Sequence, residues 1–201
     1  MEIILESVDP EDITERIFKV PECVTEIGNG AFRGCENLEE IFLPESVYWI
    51  GKDAFYGCKG LRKIAIPKEA GIYAGAFCGC SRLEEVSLPD DLEEIAWGVF
   101  EGCGALQEIE IPESVTEIKD CAFEDCKGLR RISFPDGLEK IGKGAFRGCE
   151  HLSEIILPES VKEIGRGAFD GFDHLKRVVA PESKKKLVKH LFGKDVEMIW
   201  R

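Results

Sequence analysis

A chain of 201 residues with 44% hydrophobic content and a formal net charge of −13 is poorly suited to neutralising nucleic-acid phosphates or approaching an anionic membrane. No apolar run approaches the roughly 18 residues of a membrane-spanning helix, and Met1 to Glu6 places an acid where a secretory signal carries basic residues. The expectations are no nucleic acid, no membrane insertion and, for the sequence as it stands, a cytoplasmic location.

Residues 1–20 read as an N-terminal cap. Met1 to Leu5 predicts a first strand. Asp9, Pro10, Glu11 and Asp12 predict a helix start, with Asp as N-cap and Pro in the first turn, leading into Ile13, Ile17 and Phe18. From Pro21 the chain repeats a stretch of 23 residues, and seven copies span 21–43, 44–66, 67–88, 89–111, 112–134, 135–157 and 158–180, the third being one residue short. Numbered from its proline, a copy has an aliphatic residue at four, Ile at seven, Gly at eight, Ala-Phe at eleven and twelve, Gly-Cys at fourteen and fifteen, Leu at eighteen and Ile or Val at twenty-one. Phe32, Phe55, Phe77, Phe100, Phe123, Phe146 and Phe169 fill position twelve, and Leu stands at eighteen in every copy from Leu38 to Leu175. One coil cannot bury such a face alone, so the coils must stack and share one continuous core.

Each copy closes on alternating residues, as in Leu-x-x-Ile-x-Leu-Pro, which predicts a short strand ended by proline and, on stacking, a parallel sheet. Gly at eight and fourteen suits turns that need positive φ or close backbone approach. The string Ile-Gly-x-x-Ala-Phe-x-x-Cys with Leu-x-x-Ile-x-Leu-Pro resembles the leucine-rich repeat family in its BspA-like, or Treponema-type, subclass over 21–180. The resemblance implies a strand-dominated right-handed solenoid with a parallel sheet on the concave face. It also implies a role in protein recognition, often at the surface of bacteria or protists, which stands against the cytoplasmic reading.

Six of nine cysteines, Cys35, Cys58, Cys80, Cys103, Cys126 and Cys149, share position fifteen. Neighbouring coils lie roughly 4.8 Å apart, within reach of a disulfide, but residues of one column point the same way and lack the torsion a bridge needs. The seventh copy has Phe172 there. The column therefore reads as buried free thiols serving as small hydrophobes. Cys78 at thirteen and Cys23 at three are expected to be exposed and oxidisable.

Residues 181–201 read as a C-terminal cap: a short helix with Ser183 as N-cap, Leu187 and Leu191 on one side and Gly193 as C-cap, then a strand from Asp195 to Arg201 with Val196, Met198 and Trp200 on one face. This cap has six basic and three acidic residues, a balance of +3 that leaves −16 on the rest.

Catalysis finds little support. Gly28-Asn-Gly30 resembles a phosphate loop, but the same spacing recurs as Gly142-Lys-Gly144 and Gly165-Arg-Gly167 and no Lys-Ser/Thr pair follows. His151 and His174 share position seventeen of adjacent coils, with only Ser153 as a nearby nucleophile and no triad to build. No cofactor, metal site or enzymatic activity is expected.

Two surface features break the columns. Position twenty reads Glu40, Lys63, Glu85, Glu108, Arg131, Glu154 and Arg177, an alternating ladder that supports strand register except where Glu85 meets Glu108, with Glu84 and Glu110 nearby. Tyr48, Trp49, Tyr56, Tyr73 and Trp97 replace polar residues or glycine in copies two to four, where rings either form an interface or fill space around the deletion. The expected function is a non-catalytic, monomeric protein-binding scaffold using the five rings or the acids Glu85, Glu108 and Glu110. The alternative is a structural spacer that self-associates through its caps.

Overall fold

The computed structural model describes residues 2–11, 13 and 15–201 as a strand-dominated parallel solenoid of about eight turns. Each coil contributes two strands, where the sequence signalled one. The expected strand at positions twenty to twenty-two is present. Ile17–Lys19, Glu40–Phe42, Lys63–Ala65 and Glu85–Ser87 form one ladder; Glu108–Glu110 pairs with Arg131–Ser133; Glu154–Ile156, Arg177–Ala180 and Glu197–Trp200 form a third. A second ribbon runs through positions six and seven, as Ile4–Leu5, Glu26–Ile27, Trp49–Ile50 and Gly71–Ile72, then Glu94–Ile95, Glu117–Ile118, Lys140–Ile141 and Glu163–Ile164. Two residues carry no legible alternation of their own. They become strand because each stacked coil presents the same two residues as a parallel partner, as in Glu117 opposite Lys140.

Between the ribbons the chain winds through successive turns whose amides alternate in direction. The N–H groups of Ala31, Arg33 and Cys35 bond three residues back within the coil, while those of Gly30, Phe32 and Gly34 reach the carbonyls of Lys52, Ala54 and Tyr56 in the next. The side away from the strands is thus stitched as thoroughly as a sheet.

The two glycine roles separate by column. Position fourteen is left-handed, with Gly34 at φ 74°. Position eight is a close approach, since a Cβ on Gly51 would lie 2.8 Å from the amide nitrogen of Asn29. Position ten is left-handed as well, including Asp53 at φ 56° and Cys121 at φ 58°, which the sequence frame had not marked.

The phenylalanines of position twelve form one stack with centroids 5.1 to 5.7 Å apart. The caps close it at both ends: Phe18 packs edge-on against Phe32 at 5.3 Å, and Phe192 against Phe169 at 5.4 Å. Each open end would otherwise expose an aromatic face, so these contacts are what make the terminal segments caps.

Neither cap has the predicted local structure throughout. In the N-terminal segment Asp9 accepts a hydrogen bond from the Glu11 amide at 3.0 Å, but the chain makes a turn instead of a helix, and Ile17–Lys19 pairs as a strand with Glu40–Phe42. Met1, Asp12 and Thr14 lie outside the described residues. A helix this short is marginal alone, whereas the ladder edge offers the backbone hydrogen-bond partners and Phe18 a seat on the core. In the C-terminal segment a 3₁₀ turn, Glu182–Lys184, with Pro181 as its N-cap, leads into the short helix Lys185–Val188, which has Lys184 as N-cap and Lys189 as C-cap. Ser183 therefore caps nothing and donates instead to Glu159 at 2.5 Å, and Gly193 lies beyond the helix end. The last strand is Glu197–Trp200, and Val196, Met198 and Trp200 pack against the core as expected.

Candidate interaction surfaces

Position three builds the first recurrent polar contact. Ser46 donates to the carbonyls of Glu22 and Val24, Ser114 to those of Asp90 and Leu92, and Ser160 to that of Leu138, so in copies two, five and seven a hydroxyl ties the coil to the one before. Cys23 occupies this position in the first copy and is exposed.

The cysteine column is buried, and all nine cysteines are free thiols. Cys58, Cys80, Cys103, Cys126 and Cys149 donate to the carbonyls of Phe32, Phe55, Phe77, Phe100 and Phe123, at 2.9 to 3.3 Å. A thiol there is a small apolar filler that also satisfies a backbone acceptor, a role spacing alone did not reveal. Burial pushes the Cys35 thiol up to about 12 and those of Cys103, Cys126 and Cys149 upward too, which suppresses the thiolate and its reactivity. Cys78 is half-buried rather than freely exposed. Burial, then Glu101, raises its thiol to about 11, which corrects the expectation of a readily oxidised group.

Of the five rings of copies two to four, one pair stacks among the described residues. Trp49 stacks on Tyr73 with centroids 3.7 Å apart, opposite Gly71, where the shortened copy has lost a residue. Tyr48 donates to Glu26 at 2.6 Å, a bond that raises its hydroxyl to about 12. Tyr56 lies under the Arg33 guanidinium at 4.3 Å. Trp97 stacks on no other ring among the described residues and is 51% exposed.

On the strand face the acids gather at an interruption. No ladder joins Glu85–Ser87 to Glu108–Glu110, and a groove of about 740 Å³ lies between them, lined by Glu84, Glu85, Glu108 and Glu110 with Ser87, Gln107 and Arg131. Glu84 and Glu85 are held from one side by Arg62 at 3.0 Å and Lys63 at 2.8 Å. A second groove, of about 580 Å³, lies at the other interruption, between Arg131–Ser133 and Glu154–Ile156, and is lined by Arg130, Arg131, Arg201 and Ile156. His151 and His174 sit 5.2 Å apart, with His151 Nδ1 2.8 Å from the Lys127 carbonyl.

Stacked coils of 22 or 23 residues, an unbroken Leu column and a parallel strand in every coil define a leucine-rich repeat solenoid. Six copies of the BspA type leucine rich repeat region match residues 12–130 and 70–198, and the chain belongs to that family. Among solved structures it is similar to a leucine-rich repeat protein of T. pallidum, at 34% identity and a TM-score of 0.77 over 90% of this chain and 86% of that one. A leucine-rich repeat protein of Bacteroides ovatus aligns at 29% identity and TM-score 0.66, covering 92% of this chain and 60% of that one. One of Eubacterium ventriosum aligns at 29% identity and TM-score 0.76, covering 86% and 47%. This chain thus spans less than two thirds of the last two. A comparison with curated proteins finds no match.

Proposed function

We propose that the chain is a non-catalytic scaffold that binds a protein partner through the aromatic flank of copies two to four. The observation that carries this reading is the exposure there of Tyr48, Tyr56, Tyr73 and Trp97, each between 39% and 51%, in a fold whose other rings are mostly stacked in the core. Tyr and Trp give large contact area at low entropy cost, and such anchors typically lose about 2 kcal/mol or more on truncation. The hydrogen bond of Tyr48 and the stacking of Trp49 and Tyr56 hold three of the rings in place before binding, which lowers the ordering cost. The acids Glu85, Glu108 and Glu110 on the strand ribbon act mainly on association rate with a basic partner.

The test uses a partner captured on the wild-type chain and then purified. Trp97→Ala and Tyr56→Ala weaken its binding while thermal unfolding stays nearly unchanged; Trp49→Ala weakens binding and costs some stability through the lost stack with Tyr73. Intact affinity in all three variants moves the interface to the strand ribbon.

A further inference from the structure

The chain carries 39 acids against 26 lysines and arginines, so a surface guanidinium has many carboxylates to choose from. Five arginines take one: Arg16 pairs with Glu39, Arg33 with Asp53, Arg62 with Glu84, Arg147 with Glu124 and Arg177 with Glu154. Among the described residues the other five, Arg82, Arg130, Arg131, Arg166 and Arg201, enter no ion pair and no side-chain hydrogen bond. Three of these, Arg130, Arg131 and Arg201, line one groove, that of about 580 Å³ between Arg131–Ser133 and Glu154–Ile156. Arg130 stands at position nineteen between Gln107 and Ser153, so neither neighbouring coil offers it a carboxylate at its own level. Arg131 faces Glu108 across the ladder without pairing, and Glu154 on its other side is held by Arg177 at 2.5 Å. The backbone of Arg201 is fixed after the last strand, its amide donating to Ala180 at 3.1 Å and its carbonyl accepting from Glu182 at 2.9 Å. Of the carboxylates lining the groove only Asp136 then remains, so three guanidiniums face one acid, a local balance of 3 − 1 = +2 on a chain of −13.

The groove has a length and a period. Arg131 and Ile156 stand at positions twenty and twenty-two, and the ladder register places Arg201 at twenty-four. A basic group, an apolar side chain that is 43% exposed and a second basic group therefore follow one another at alternate positions, the spacing of side chains on one face of an extended chain. From position nineteen to twenty-four the groove runs roughly 17 Å at the rise of a strand. Its backbone is open as well. Glu39 and Glu40 both donate to the Arg16 carbonyl, and Lys176 and Arg177 to that of Ser153, whereas neither Ser153 nor Glu154 donates to Arg130. A lone phosphate or carboxylate would occupy one end only. Nucleic acids and anionic membranes present long runs of negative charge, which the acids surrounding the groove repel. An extended peptide of about six residues covers the whole length, and guanidiniums hold its carboxylates in paired hydrogen bonds.

We propose that this groove binds an acidic, extended peptide segment of a partner protein, with Arg130 and Arg131 on one carboxylate, Arg201 on a second and Ile156 under an apolar residue between them. Arginine clusters that receive acidic motifs work in this way. The site lies on the strand face, goes beyond the aromatic-flank reading and does not rest on it.

Fluorescence anisotropy of the full chain tests this with a labelled synthetic peptide, acetylated and amidated at its ends, that carries glutamate, leucine and glutamate at alternate positions separated by serines. Wild type binds it. The same peptide with glutamine for glutamate binds at least about tenfold more weakly, and so does the original peptide to the variant Arg130→Gln with Arg131→Gln. Arg201→Gln and Ile156→Ser each weaken binding severalfold. Arg82→Gln and Arg166→Gln remove unpaired guanidiniums elsewhere and leave the affinity unchanged, with circular dichroism verifying the fold of every variant. A wild type that does not bind the peptide overturns the proposal. So does an equal loss in Arg82→Gln, which would reduce the effect to general charge attraction. Displacement of the peptide by an equal concentration of inorganic phosphate, or by vesicles containing phosphatidylserine, overturns it too, since the groove would then hold any anion or a lipid surface. None of these readouts uses the rings of copies two to four, so their failure is separate from that of the ring substitutions above.

Discussion

The junction between copies one and two and the junction between copies three and four join coils of nearly the same sequence, yet only the first is complete. At the first, both ribbons are paired, Glu26 with Trp49 and Glu40 with Lys63, Gly51 lets the chain press on Asn29, and Lys59 meets Glu36 at 2.7 Å. At the second, neither ribbon continues: Gly71–Ile72 is not joined to Glu94–Ile95, nor Glu85–Ser87 to Glu108–Glu110. What remains is the turn side, where Gly75, Phe77 and Gly79 donate to Trp97, Val99 and Glu101, together with Ala105 donating to Ser81 and the stack of Phe77 on Phe100 at 5.7 Å. Three local departures coincide there: the deletion in copy three, Tyr73 and Ala96 in the glycine column, and Glu85 opposite Glu108. Core stacking and turn hydrogen bonds hold the coils together, and strand pairing is the layer that local sequence can switch off.

The largest expected effect follows from that hierarchy. Phe100→Ala removes the core contact that bridges the incomplete junction and is expected to cost about 3–5 kcal/mol. Nearest-neighbour coupling should then fail first at that point, so urea unfolding resolves into two steps. Phe55→Ala should cost as much but leave one transition. A single transition in both variants would mean the two junctions are equally strong.

Column eight gives the next test. Gly51→Ala drives a methyl onto Asn29 and is expected to cost about 1–3 kcal/mol, the usual range for overpacking. The reverse change, Ala96→Gly, at the incomplete junction should fall within about 1 kcal/mol, mostly chain entropy. Equal costs would show that the close approach is made at both.

Cys103 spans the incomplete junction through its bond to the Phe77 carbonyl at 3.3 Å. Cys103→Ser shortens the side chain, draws the donor back from that carbonyl and leaves a hydroxyl in a buried site, a cost of about 1–3 kcal/mol. Cys78→Ser, at a half-buried position, should stay within about 0.5 kcal/mol. Native thiol titration should find few reactive groups, and denaturation should release the nine cysteines of the chain.

The smallest effect is electrostatic. Burial raises the carboxyl of Glu101 above its ordinary range, with Glu124 and Asp125 adding to the shift and Arg147 opposing it. A carboxyl raised in the folded state is penalised when ionised, so its penalty is absent in acid and grows as pH rises past the unfolded value. Glu101→Gln should therefore stabilise the fold near neutrality by a few tenths of a kcal/mol after solvent screening, and not at all in acid. A gain at acidic pH instead would reverse the assigned sign.

Much of the architecture was legible because a repeat reports its own structure several times over. Seven aligned phenylalanines or six aligned cysteines cannot be accidental, so the stack, the closing strand and the buried thiols followed from columns within one chain. The turn-side stitching and the ribbon at positions six and seven were not legible, since two residues have no periodicity. The N-terminal segment misled for a related reason: Asp9 and Pro10 do begin a turn, but only the open edge of Glu40–Phe42 decides that the residues after it extend as strand. Among the surface residues, the sequence could name the five rings and three acids by departure from their columns. It could not say that Trp49 is stacked on Tyr73, or that Glu85 is held by Lys63 while Glu108 has no ion-pair partner among the described residues. The sequence by itself determined the coil, its core and the direction of stacking, because those depend on which side chains recur. Only the tertiary structure decided which backbone ladders close and which charges remain unpaired, because both depend on distances between coils that a single coil does not contain.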